Sequence, residues 1–325
     1  MSENQKKVWI TGASSGIGKA VAEKFAKENW RVAISARRVE ILNEMSKNEN
    51  IFAYPLDVTD PSKTQETFNK ILKDFNDIDL CIFSSGTYER KSEKGLSVEN
   101  VKTVMEVNFL GVVGCVKAVQ QYFENKKNGH ISIVSSPVGY RGLPKSSGYT
   151  ASKASLNNFT QGIYFDFKKF NVRVSLISPG FIKTALTDKN EFKMPFLKDT
   201  NYAADKIYEG LVNKKSFEII FPPQIAFIYK IFQILPNRIY NFLINKFVNR
   251  YFLINTTVNS ATLIPNFVIL ALLIATVSLC LKIQSSNVIL ISFPFTGTSK
   301  TYSNLKAEPY EKPFAVPTTS AAVPS

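Results

Sequence analysis

Short apolar runs alternate with longer amphipathic stretches through residues 6–222, and this alternation constrains the fold more than any other feature. The runs are rich in Val, Ile and Phe, which is typical of strands buried on both faces. Strand, helix and strand in repeated order imply right-handed crossovers, so we predict an α/β fold with a doubly wound parallel sheet of about seven strands. The predicted strands are Lys7–Thr11, Arg31–Ser35, Ile51–Pro55, Asp79–Phe83, His130–Ser135, Val172–Ile177 and Phe217–Phe221, and the helices between them include Gly16–Asn29, Val101–Lys127, Ser147–Phe170 and Tyr202–Val212.

Composition narrows the classes of partner. The 325 residues are 45% apolar, which is enough for a large core, and the formal net charge is +14. The positive charge of a basic chain can serve to bind nucleic acid or an anionic membrane. Alternatively, it can serve only to keep the protein soluble. The Lys residues are scattered and no run of five basic residues occurs, so we expect no nucleic-acid interface.

Cysteine and histidine are scarce. Cys81, Cys115 and Cys280 are widely spaced, which fits neither a disulfide framework nor a metal site and suggests a reducing compartment. His130 is the single histidine and opens a predicted strand, so we interpret it as structural and expect neither a metal site nor a Ser-His-Asp triad. The first residues, MSENQKK, lack the apolar core of a signal peptide, so we expect the main domain to be cytoplasmic.

The composition changes near residue 223. Pro223–Arg250 is strongly apolar and aromatic with basic residues spaced through it, which predicts one or two amphipathic helices broken at Pro236. No charge occurs from Tyr251 to Leu281, and Phe267–Leu281 is almost continuously apolar. A membrane span needs about 20 mainly apolar residues. The uncharged flank extends the apolar core toward that length, so a membrane span is favoured and a buried core helix is the alternative.

These patterns divide the chain into three parts. Residues 1–250 form the main domain, with the amphipathic helices at its end. Residues 251–285 form a candidate transmembrane segment. Residues 286–325 form a tail, which is rich in Thr, Ser, Pro and Ala from 296 onward and is predicted to be disordered.

A glycine-rich turn follows the first predicted strand and leads into an amphipathic helix. Glycine lets the backbone approach a pyrophosphate closely, and a helix N-terminus offers free N–H groups with a partial positive charge. The strand, turn and helix together predict a dinucleotide site, with a turn that binds no ligand as the alternative. Its predicted binding residues are Gly12, Ser14, Ser15, Gly16, Ile17 and Gly18.

The end of the second strand indicates which dinucleotide binds. A site that prefers NAD places an acidic residue there for the ribose 2′-hydroxyl. This strand ends in Ser35-Ala36-Arg37-Arg38, and a guanidinium suits a 2′-phosphate. We therefore expect NADP(H) to be favoured over NAD(H), with Arg37 at the phosphate. The alternative is that both arginines are solvated residues at a helix start.

Several motifs occur together in an order that resembles the short-chain dehydrogenase/reductase family, in its ordinary branch, over residues 6–222 and loosely to 250. The motifs are TGASSGIG at 11–18, Leu56-Asp57-Val58-Thr59, Val107-Asn108-Phe109, Ser135-Ser136, Tyr149-Thr150-Ala151-Ser152-Lys153, and Ser178-Pro179-Gly180 through Thr184. The resemblance implies a Rossmann-like domain, reversible redox chemistry between a carbonyl and an alcohol, a nicotinamide cofactor and a homodimer or homotetramer.

The resemblance also implies further cofactor contacts. Asp57 would receive the adenine amino group with Val58 beside the ring, while the alternative for Asp57 is a cap on the helix from Pro61. Pro179 and Gly180 would line the nicotinamide pocket, with Ile182 and Thr184 on the carboxamide. The chain departs from the family at Phe83-Ser84-Ser85-Gly86, where Asn-Asn-Ala-Gly is usual. Gly86 still permits close approach to the cofactor, but the hydrogen bonds of the first Asn are lost.

A Tyr-x-x-x-Lys pair puts both side chains on one helix face, where the ammonium is expected to lower the pKa of the tyrosine and make it a useful acid and base. The spacing is weak evidence by itself, because it occurs five times. The five pairs are Tyr122/Lys126, Tyr149/Lys153, Tyr164/Lys168, Tyr202/Lys206 and Tyr302/Lys306. Tyr149 and Lys153 are singled out because they follow the fifth strand and a loop that opens with Ser135-Ser136.

Two more residues, Ser136 and Asn108, complete the catalytic set implied by the resemblance. Ser136 would hydrogen-bond the substrate oxygen, and Ser135 is interpreted as an ordinary strand-end serine. Asn108 lies in a predicted helix, where an inward Asn needs a partner. Its family role is to hold a water that relays protons past Lys153, and a structural cap is the alternative.

Two functions of different classes follow. The first is an oxidoreductase that acts on an alcohol or carbonyl. The second is a catalytically silent dinucleotide-binding sensor or scaffold. The enzyme is favoured because Asn108, Ser136, Tyr149 and Lys153 are all present. The apolar stretch at 223–250 lies where the family builds its substrate lid, which indicates a lipophilic substrate, with a dimer interface as the alternative.

Overall fold

One parallel sheet forms the centre of the protein. The computed structural model describes residues 5–88, 96–144, 146–188 and 194–256, with only the backbone of 247–256. Within these ranges seven strands are present: β1 (Lys7–Thr11), β2 (Arg31–Ser35), β3 (Ile51–Ala53), β4 (Leu80–Phe83), β5 (Gly129–Val134), β6 (Val172–Pro179) and β7 (Glu218–Phe221). They hydrogen-bond in the order β3-β2-β1-β4-β5-β6-β7. The predicted doubly wound sheet is confirmed, and every strand agrees with its predicted bounds to within two residues.

The strand order creates a crevice at one edge of the sheet. From β1 the chain builds outward through β2 and β3, and it then returns to place β4 on the other side of β1. Thr11 at the end of β1 pairs with Ser35 of β2 and with Phe83 of β4, so these carboxyl ends are level. A reversal of strand order separates the loops that leave β1 and β4, and a ligand crevice is expected there.

Helices cover both faces of the sheet. Their bounds are α1 (Gly16–Lys27), α2 (Val39–Met45), α3 (Pro61–Phe75), α4 (Val98–Met105), α5 (Gly111–Lys126), α6 (Ser147–Lys168), α7 (Thr200–Tyr208), α8 (Pro223–Ile234) and α9 (Asn237–Thr256). Helices α1, α2 and α7 supply buried side chains to one face, and α3, α5 and α6 supply them to the other. The protein therefore has three layers.

Alternation along β1 shows how the two cores are divided. Val8 and Ile10 belong to the core under α1, whereas Trp9 belongs to the core under α3 and α5. Successive side chains of a strand point to opposite faces, so one strand supplies both layers. Trp9 is fully buried, with its ring 5.6 Å from that of Phe68 and its indole N–H donating to the Ser35 hydroxyl at 2.9 Å. Replacing Trp9 with Ala is expected to cost about 3–5 kcal/mol of stability.

The predicted helix Val101–Lys127 is longer than expected and is not regular. A π-helical turn, Glu106–Leu110, joins α4 to α5, and the Gly111 N–H donates to the Glu106 carbonyl five residues back. Hydrophobic periodicity of 3.6 residues does not reveal such a turn, because it adds one residue to a single helical turn. The turn directs Asn108 into the fully buried interior.

The continuous helical stretch Val98–Lys126 is, within the described residues, the one long and apolar enough to cross a membrane by length and composition. Its middle packs into the core of the sheet through Val112, Cys115, Val119 and Phe123. Core packing therefore accounts for its apolar character.

The chain after β7 forms two helices, as predicted. Helix α8 ends at Ile234 and α9 begins at Asn237, so the break falls at Pro236. The backbone of α9 continues to Thr256, past the predicted boundary at residue 250. The remainder of the candidate transmembrane segment and the tail at 286–325 lie outside the described residues, so the predicted boundaries stay predictions.

Candidate active site

A cavity of about 350 Å³ opens at the carboxyl edge of the sheet, where the strand order reverses. It brings together every predicted cofactor-binding residue and three of the four predicted catalytic residues. These are Gly12, Ser14, Ser15, Gly16, Ile17, Gly18, Arg37, Asp57, Val58, Gly86, Ser136, Tyr149, Lys153, Pro179, Gly180, Ile182 and Thr184. Asn108, the remaining one, lies behind the cavity wall.

The glycine-rich turn is shaped by close backbone contacts. Gly12 has a φ of +69°, and a Cβ there would lie 2.7 Å from the Ser84 carbonyl oxygen. A Cβ on Gly18 would lie 2.4 Å from the Gly12 carbonyl oxygen. Glycine is therefore required at both positions. The small Ser84-Ser85 segment is the one that departs from the family pattern, and it packs directly against the turn.

Helix α1 leaves its first N–H groups available at the cavity. Ser15 occupies the N-cap position, but its side chain makes no capping hydrogen bond, and the first turn has no acidic residue. Free N–H groups at a helix N-terminus attract anions. Together with the close backbone turn, this arrangement fits a dinucleotide pyrophosphate.

Two arginines at the end of β2 reach the cavity in different ways. Arg38 donates from Nε and Nη2 to the Ser14 hydroxyl at 3.2 and 3.0 Å, so it is held against the glycine-rich turn. Arg37 is mostly exposed, with Nη1 4.0 Å from an Asp57 carboxylate oxygen. Sequence reasoning chose Arg37 alone. Arg38 also lines the cavity, and the signal for it was the adjacent pair of guanidinium groups.

Asp57 does not cap α3, so that alternative is wrong. Its Oδ1 accepts from the Thr59 N–H at 3.1 Å and from the Thr59 hydroxyl at 2.8 Å. Asp60 is the N-cap, and its carboxylate accepts from the Lys63 N–H at 3.0 Å. Asp57 instead holds a turn at the cavity rim.

Ser136, Tyr149 and Lys153 meet where β5 ends and α6 begins. The Lys153 Nζ donates to the Val134 carbonyl at 3.0 Å and lies 5.7 Å from the centroid of the Tyr149 ring. The Ser136 hydroxyl lies close enough to Tyr149 to lower the pKa of its phenol. The three groups thus surround one end of the cavity, at the carboxyl edge of the sheet.

Burial controls the acid–base character of this end. Lys153 is 4% exposed, and burial lowers its pKa to about 8. Burial raises the pKa of Tyr149 to about 12, although the neighbouring Ser136 hydroxyl acts in the opposite direction. The expected lowering of the Tyr149 pKa by Lys153 is therefore wrong for the protein alone. The cost of burying a phenolate outweighs the polar neighbours.

Asn108 joins the loop after β4 to the helix that carries Tyr149. Its Oδ1 accepts from the Thr87 N–H at 2.6 Å, and its Nδ2 donates to the Thr87 carbonyl at 2.9 Å and to the Ser152 hydroxyl at 3.0 Å. Ser152 in turn donates to the Tyr149 carbonyl at 2.7 Å. Asn108 lies inside a continuous helical stretch, so the capping alternative is wrong. A Cβ on Gly86 would lie 3.6 Å from its Oδ1, which places Asn108 directly behind the cavity.

The remaining polar candidates have structural contacts. The Ser135 hydroxyl donates to the Lys153 carbonyl at 3.1 Å. His130 lies at the opposite end of β5, with Nε2 2.8 Å from the Ser175 hydroxyl, and burial lowers its pKa to about 3. Its interpretation as structural is confirmed. In the described part of the chain, no group of three His, Cys, Asp or Glu residues is placed to hold a metal ion.

Helices α8 and α9 lie beside the same end of the cavity. A Cβ on Gly180 would lie 3.1 Å from Ile225 of α8. One face of the two helices forms an apolar cluster with the segments that follow Ser136 and Gly180. Its buried members are Ile225, Tyr229, Phe232, Leu235 and Tyr240, and Val138, Tyr140 and Phe181 pack against them.

Comparison with known families identifies this arrangement. The model of short chain dehydrogenases matches residues 6–194, more than half of the chain. The protein belongs to the short-chain dehydrogenase/reductase family. It is accordingly an oxidoreductase of CH–OH groups that uses a nicotinamide dinucleotide, and the predicted family and enzyme class are confirmed.

Relatives of this short-chain dehydrogenase/reductase come from distant organisms. It is 33% identical over 237 residues to an uncharacterized oxidoreductase of Myxococcus xanthus, and the aligned region covers 71% of this chain and 93% of that protein. It is 31% identical over 193 residues to the human dehydrogenase/reductase SDR family member 7, covering 56% of this chain and 57% of that protein. Among solved structures, ElxO with NADP bound has a TM-score of 0.61 and 28% identity, covering 66% of this chain and 97% of that one.

Proposed function

We propose that the protein is an NADP(H)-dependent oxidoreductase that interconverts an alcohol and a ketone or aldehyde, with Tyr149 as general acid and base and a lipophilic substrate. One observation carries the proposal. Tyr149, Ser136 and the buried Lys153 adjoin one end of a crevice whose other end is formed by an uncapped helix and two arginines.

The dinucleotide, when bound, supplies or accepts the hydride. In the reducing direction Ser136 holds the carbonyl oxygen by a hydrogen bond, and Tyr149 transfers its phenolic proton to that oxygen. The phenolate left on Tyr149 is stabilised by the Lys153 ammonium, which donates to the Val134 carbonyl and forms no ion pair with a carboxylate among the described residues. A buried lysine whose pKa is about 8 exchanges protons readily near neutral pH, which suits this role.

Asn108 supports Tyr149 by position. Both protons of its amide nitrogen are donated to Thr87 and Ser152. These contacts fix the loop beside Gly86 and the first turn of α6. The proton relay that the resemblance implies stays a prediction. Because both amide protons are already donated, a water bound to the Asn108 side chain would have to donate to Oδ1, and the main-chain carbonyl of Asn108 is the other acceptor that a water could use.

The preference for NADP(H) rests on Arg37 and Arg38. The end of β2 carries two guanidinium groups and no carboxylate, and Arg38 is already aligned by Ser14. A guanidinium can form a bidentate, charge-assisted contact with a 2′-phosphate. The solved structure of ElxO contains NADP and that of a short chain dehydrogenase/reductase from Burkholderia phymatum contains NAD, so the proposed preference rests on the two arginines.

A fluorescence titration of the full chain with NADPH and NADH tests the cofactor site. Arg38→Ala and Arg37→Ala are each expected to weaken NADPH binding by about 10-fold or more, because each removes a charge-assisted contact. NADH binding should change little. Arg238→Ala, on α9 and away from the cavity, is the matched control. NADH binding as tight as NADPH binding would overturn the proposed preference.

Membrane association forms part of the same proposal. Phe227, Ile234 and Phe242 are exposed on α8 and α9, and the sequence contains no acidic residue from Pro222 to Ala307. Exposed aromatic side chains with nearby cations suit an anionic lipid surface. Sedimentation of the full chain with vesicles of anionic and of neutral lipid tests this, and binding to neither would reject it. The homodimer or homotetramer stays a prediction for analytical ultracentrifugation.

A further inference from the structure

The segment that follows Ser136 is fastened to the corner between α8 and α9. Arg141 donates from Nε to the Phe232 carbonyl at 2.9 Å, from Nη1 to the Asn237 side-chain oxygen at 2.6 Å, and from Nη2 to the Leu235 carbonyl. Its guanidinium carbon also lies 4.9 Å from the centroid of the Tyr240 ring. One side chain thus contacts both helices and the turn between them.

These contacts satisfy the end of α8. The last carbonyls of a helix lack partners within the helix and carry a partial negative charge. Helix α8 ends without a left-handed cap, since Leu235 is extended with a φ of −68° and a ψ of 135°. The planar fork of Arg141 supplies donors to these carbonyls from a segment more than 90 residues away in sequence.

A second hydrogen bond joins the same two parts, and here α9 supplies the donor. The Tyr240 hydroxyl of α9 donates to the Gly142 carbonyl at 2.7 Å. The Tyr240 ring therefore lies against Arg141 while its hydroxyl holds the neighbouring peptide. The two contacts together form a clasp, defined here as Arg141, Gly142 and Tyr240.

The clasp is rigidly connected to Ser136. The Val138 N–H donates to the Ser136 hydroxyl at 3.4 Å, and the Gly139 N–H donates to the Ser136 carbonyl at 3.0 Å, which makes a tight turn. A Cβ on Gly139 would lie 2.6 Å from the Lys153 carbonyl oxygen, so this turn presses against α6. A displacement of Arg141 would therefore be felt at the catalytic end of the cavity.

We propose that Arg141 is a positioning residue for the substrate: through the clasp it fixes the apolar face of α8 and α9 at a set distance from Ser136 and Tyr149. The inference rests on the proposed function, because it gives that apolar face the role of a substrate-binding wall. The cofactor end of the cavity lies on the far side of β1 from the clasp. Among the described residues, it makes no contact with the clasp. Arg141 therefore acts on recognition of the substrate and not on binding of the dinucleotide.

Hydrogen exchange of the full chain tests the clasp without reference to turnover. Arg141→Met keeps the aliphatic stem and removes the donors. We expect peptides from 137–144 and from 223–240 to exchange about 10-fold faster together, because both sides of the clasp lose protection. Arg238→Met, which removes an exposed guanidinium from the same corner, is the matched control and should behave as the wild type. Unchanged exchange in Arg141→Met overturns the proposal.

Kinetics then separates positioning from general stability. With NADPH, the ratio of kcat/KM for 2-decanone to that for 2-butanone is expected to fall about 10-fold in Arg141→Met, mainly through KM, because the longer chain loses a fixed wall. The Kd for NADPH should stay within about 2-fold, and Arg141→Lys should recover part of the ratio because its ammonium can reach one carbonyl. An unchanged ratio, or an equal loss for both ketones with weaker NADPH binding, overturns the proposal.

A milder variant keeps the proposal testable if Arg141→Met does not fold. Tyr240→Phe removes only the hydrogen bond to Gly142 and should shift the ketone ratio in the same direction by about 2–3-fold. No shift in a folded Tyr240→Phe protein counts against the clasp. If the wild type reduces no ketone while exchange at 137–144 and 223–240 remains coupled, the proposed function fails and the clasp stands. If turnover is normal and the exchange is uncoupled, the clasp fails and the proposed function stands.

Discussion

Two tyrosine–lysine pairs with the same spacing lie at opposite edges of the sheet. In Tyr122/Lys126 of α5 and Tyr149/Lys153 of α6, the lysine Nζ is 5.7 Å from the centroid of the tyrosine ring. Helix geometry makes neighbours of the two side chains in any such pair, and the distance is 5.7 Å in Tyr164/Lys168 and 6.0 Å in Tyr202/Lys206. Only the surroundings distinguish the pair that lines the cavity.

A carboxylate neutralises the first pair. The Lys126 Nζ is 2.5 Å from an Asp77 oxygen, and the Tyr122 hydroxyl donates to the same carboxylate. Burial would raise the pKa of Asp77, but the hydrogen bonds from Lys126 and Tyr122 outweigh it and the pKa is lowered. This site, before β4 at the amino edge of the sheet, is a stable ion pair.

The second pair has no such partner among the described residues. Lys153 contacts the Val134 carbonyl, and burial lowers its pKa to about 8, whereas Tyr149 contacts the Ser136 hydroxyl. An ammonium without a counter-ion remains available to stabilise a phenolate. The comparison teaches that motif spacing alone does not mark a candidate catalytic pair. Tyr149/Lys153 is set apart because it lines the cavity and has no carboxylate partner among the described residues.

The largest expected effect separates the two tyrosines by activity. Tyr149→Phe removes the proton donor and should lower kcat for ketone reduction with NADPH by about 1000-fold. Tyr122→Phe should leave kcat nearly unchanged but lower the free energy of unfolding by about 1–2 kcal/mol, because a hydrogen bond to a charged group is lost. Steady-state kinetics and urea unfolding of both variants make the comparison. Equal losses of activity in the two would contradict it.

A carboxylate placed beside Lys153 should convert the second pair into a copy of the first. A Cβ on Gly86 would lie 3.8 Å from the Lys153 Nζ, and the side chain of Gly86→Asp can reach it. We expect kcat to fall about 100-fold, because the ammonium is then neutralised. Near neutral pH the free energy of unfolding should rise, because a buried charge gains a partner.

Gly86→Ala is the control for that variant. Its Cβ makes only ordinary contacts with Asn108 and Lys153, so the fold should be kept, and any loss of activity measures the space that the cofactor needs beside residue 86. If Gly86→Ala loses as much activity as Gly86→Asp, then space at residue 86 matters and charge does not.

The smallest effect is on the pH dependence of stability, where the two pairs act at opposite ends of the scale. The pKa of Lys153 is about 8 when folded against an ordinary 10.5, so the unfolded chain binds more protons between these values. Stability should therefore rise with pH in this window, by at most about 3 kcal/mol. Above about pH 10 the raised pKa of Tyr149 acts in the opposite direction.

Urea unfolding at pH 7.5 and at pH 9.5 measures the Lys153 contribution, and Lys153→Met should abolish the rise. Asp77 has a lowered pKa, so its contribution is present above its ordinary pKa and is lost as the pH falls through the folded value. Asp77→Asn should remove that acid-side loss and leave the alkaline rise intact. A rise that survives in Lys153→Met would assign it to another group.

The layers and the parallel sheet could be predicted because strands buried on both faces appear in the sequence as continuous apolar runs, which alternate with amphipathic helices. Helix α2 was anticipated only as a helix start at Arg37-Arg38, because seven residues are too few to show a helical period. The π-helical turn was missed because one added residue leaves no compositional sign. The cavity residues could be placed from motif order, since each follows a strand at the carboxyl edge.

Contacts between distant segments could not be predicted. The hold of Ser14 on Arg38, the pairing of Asn108 with Thr87 and the clasp of Arg141 depend on side-chain directions that sequence spacing does not encode. The direction of the Tyr149 pKa failed for a related reason. Motif reasoning counted the neighbouring ammonium and omitted the cost of burial.

The π-helical turn makes the site sensitive to the length of a helix. Glu106–Leu110 contains one residue more than a regular turn, and that residue sets the angle at which Asn108 meets Thr87. Deleting a single residue there would restore a regular helix and remove the bulge that carries Asn108, while α4 and α5 on either side would keep their directions. The carboxamide would then leave Thr87, although no residue of the cavity had been replaced. Single substitutions test what each side chain of this site does, whereas a one-residue deletion in the turn tests the direction in which the backbone presents Asn108.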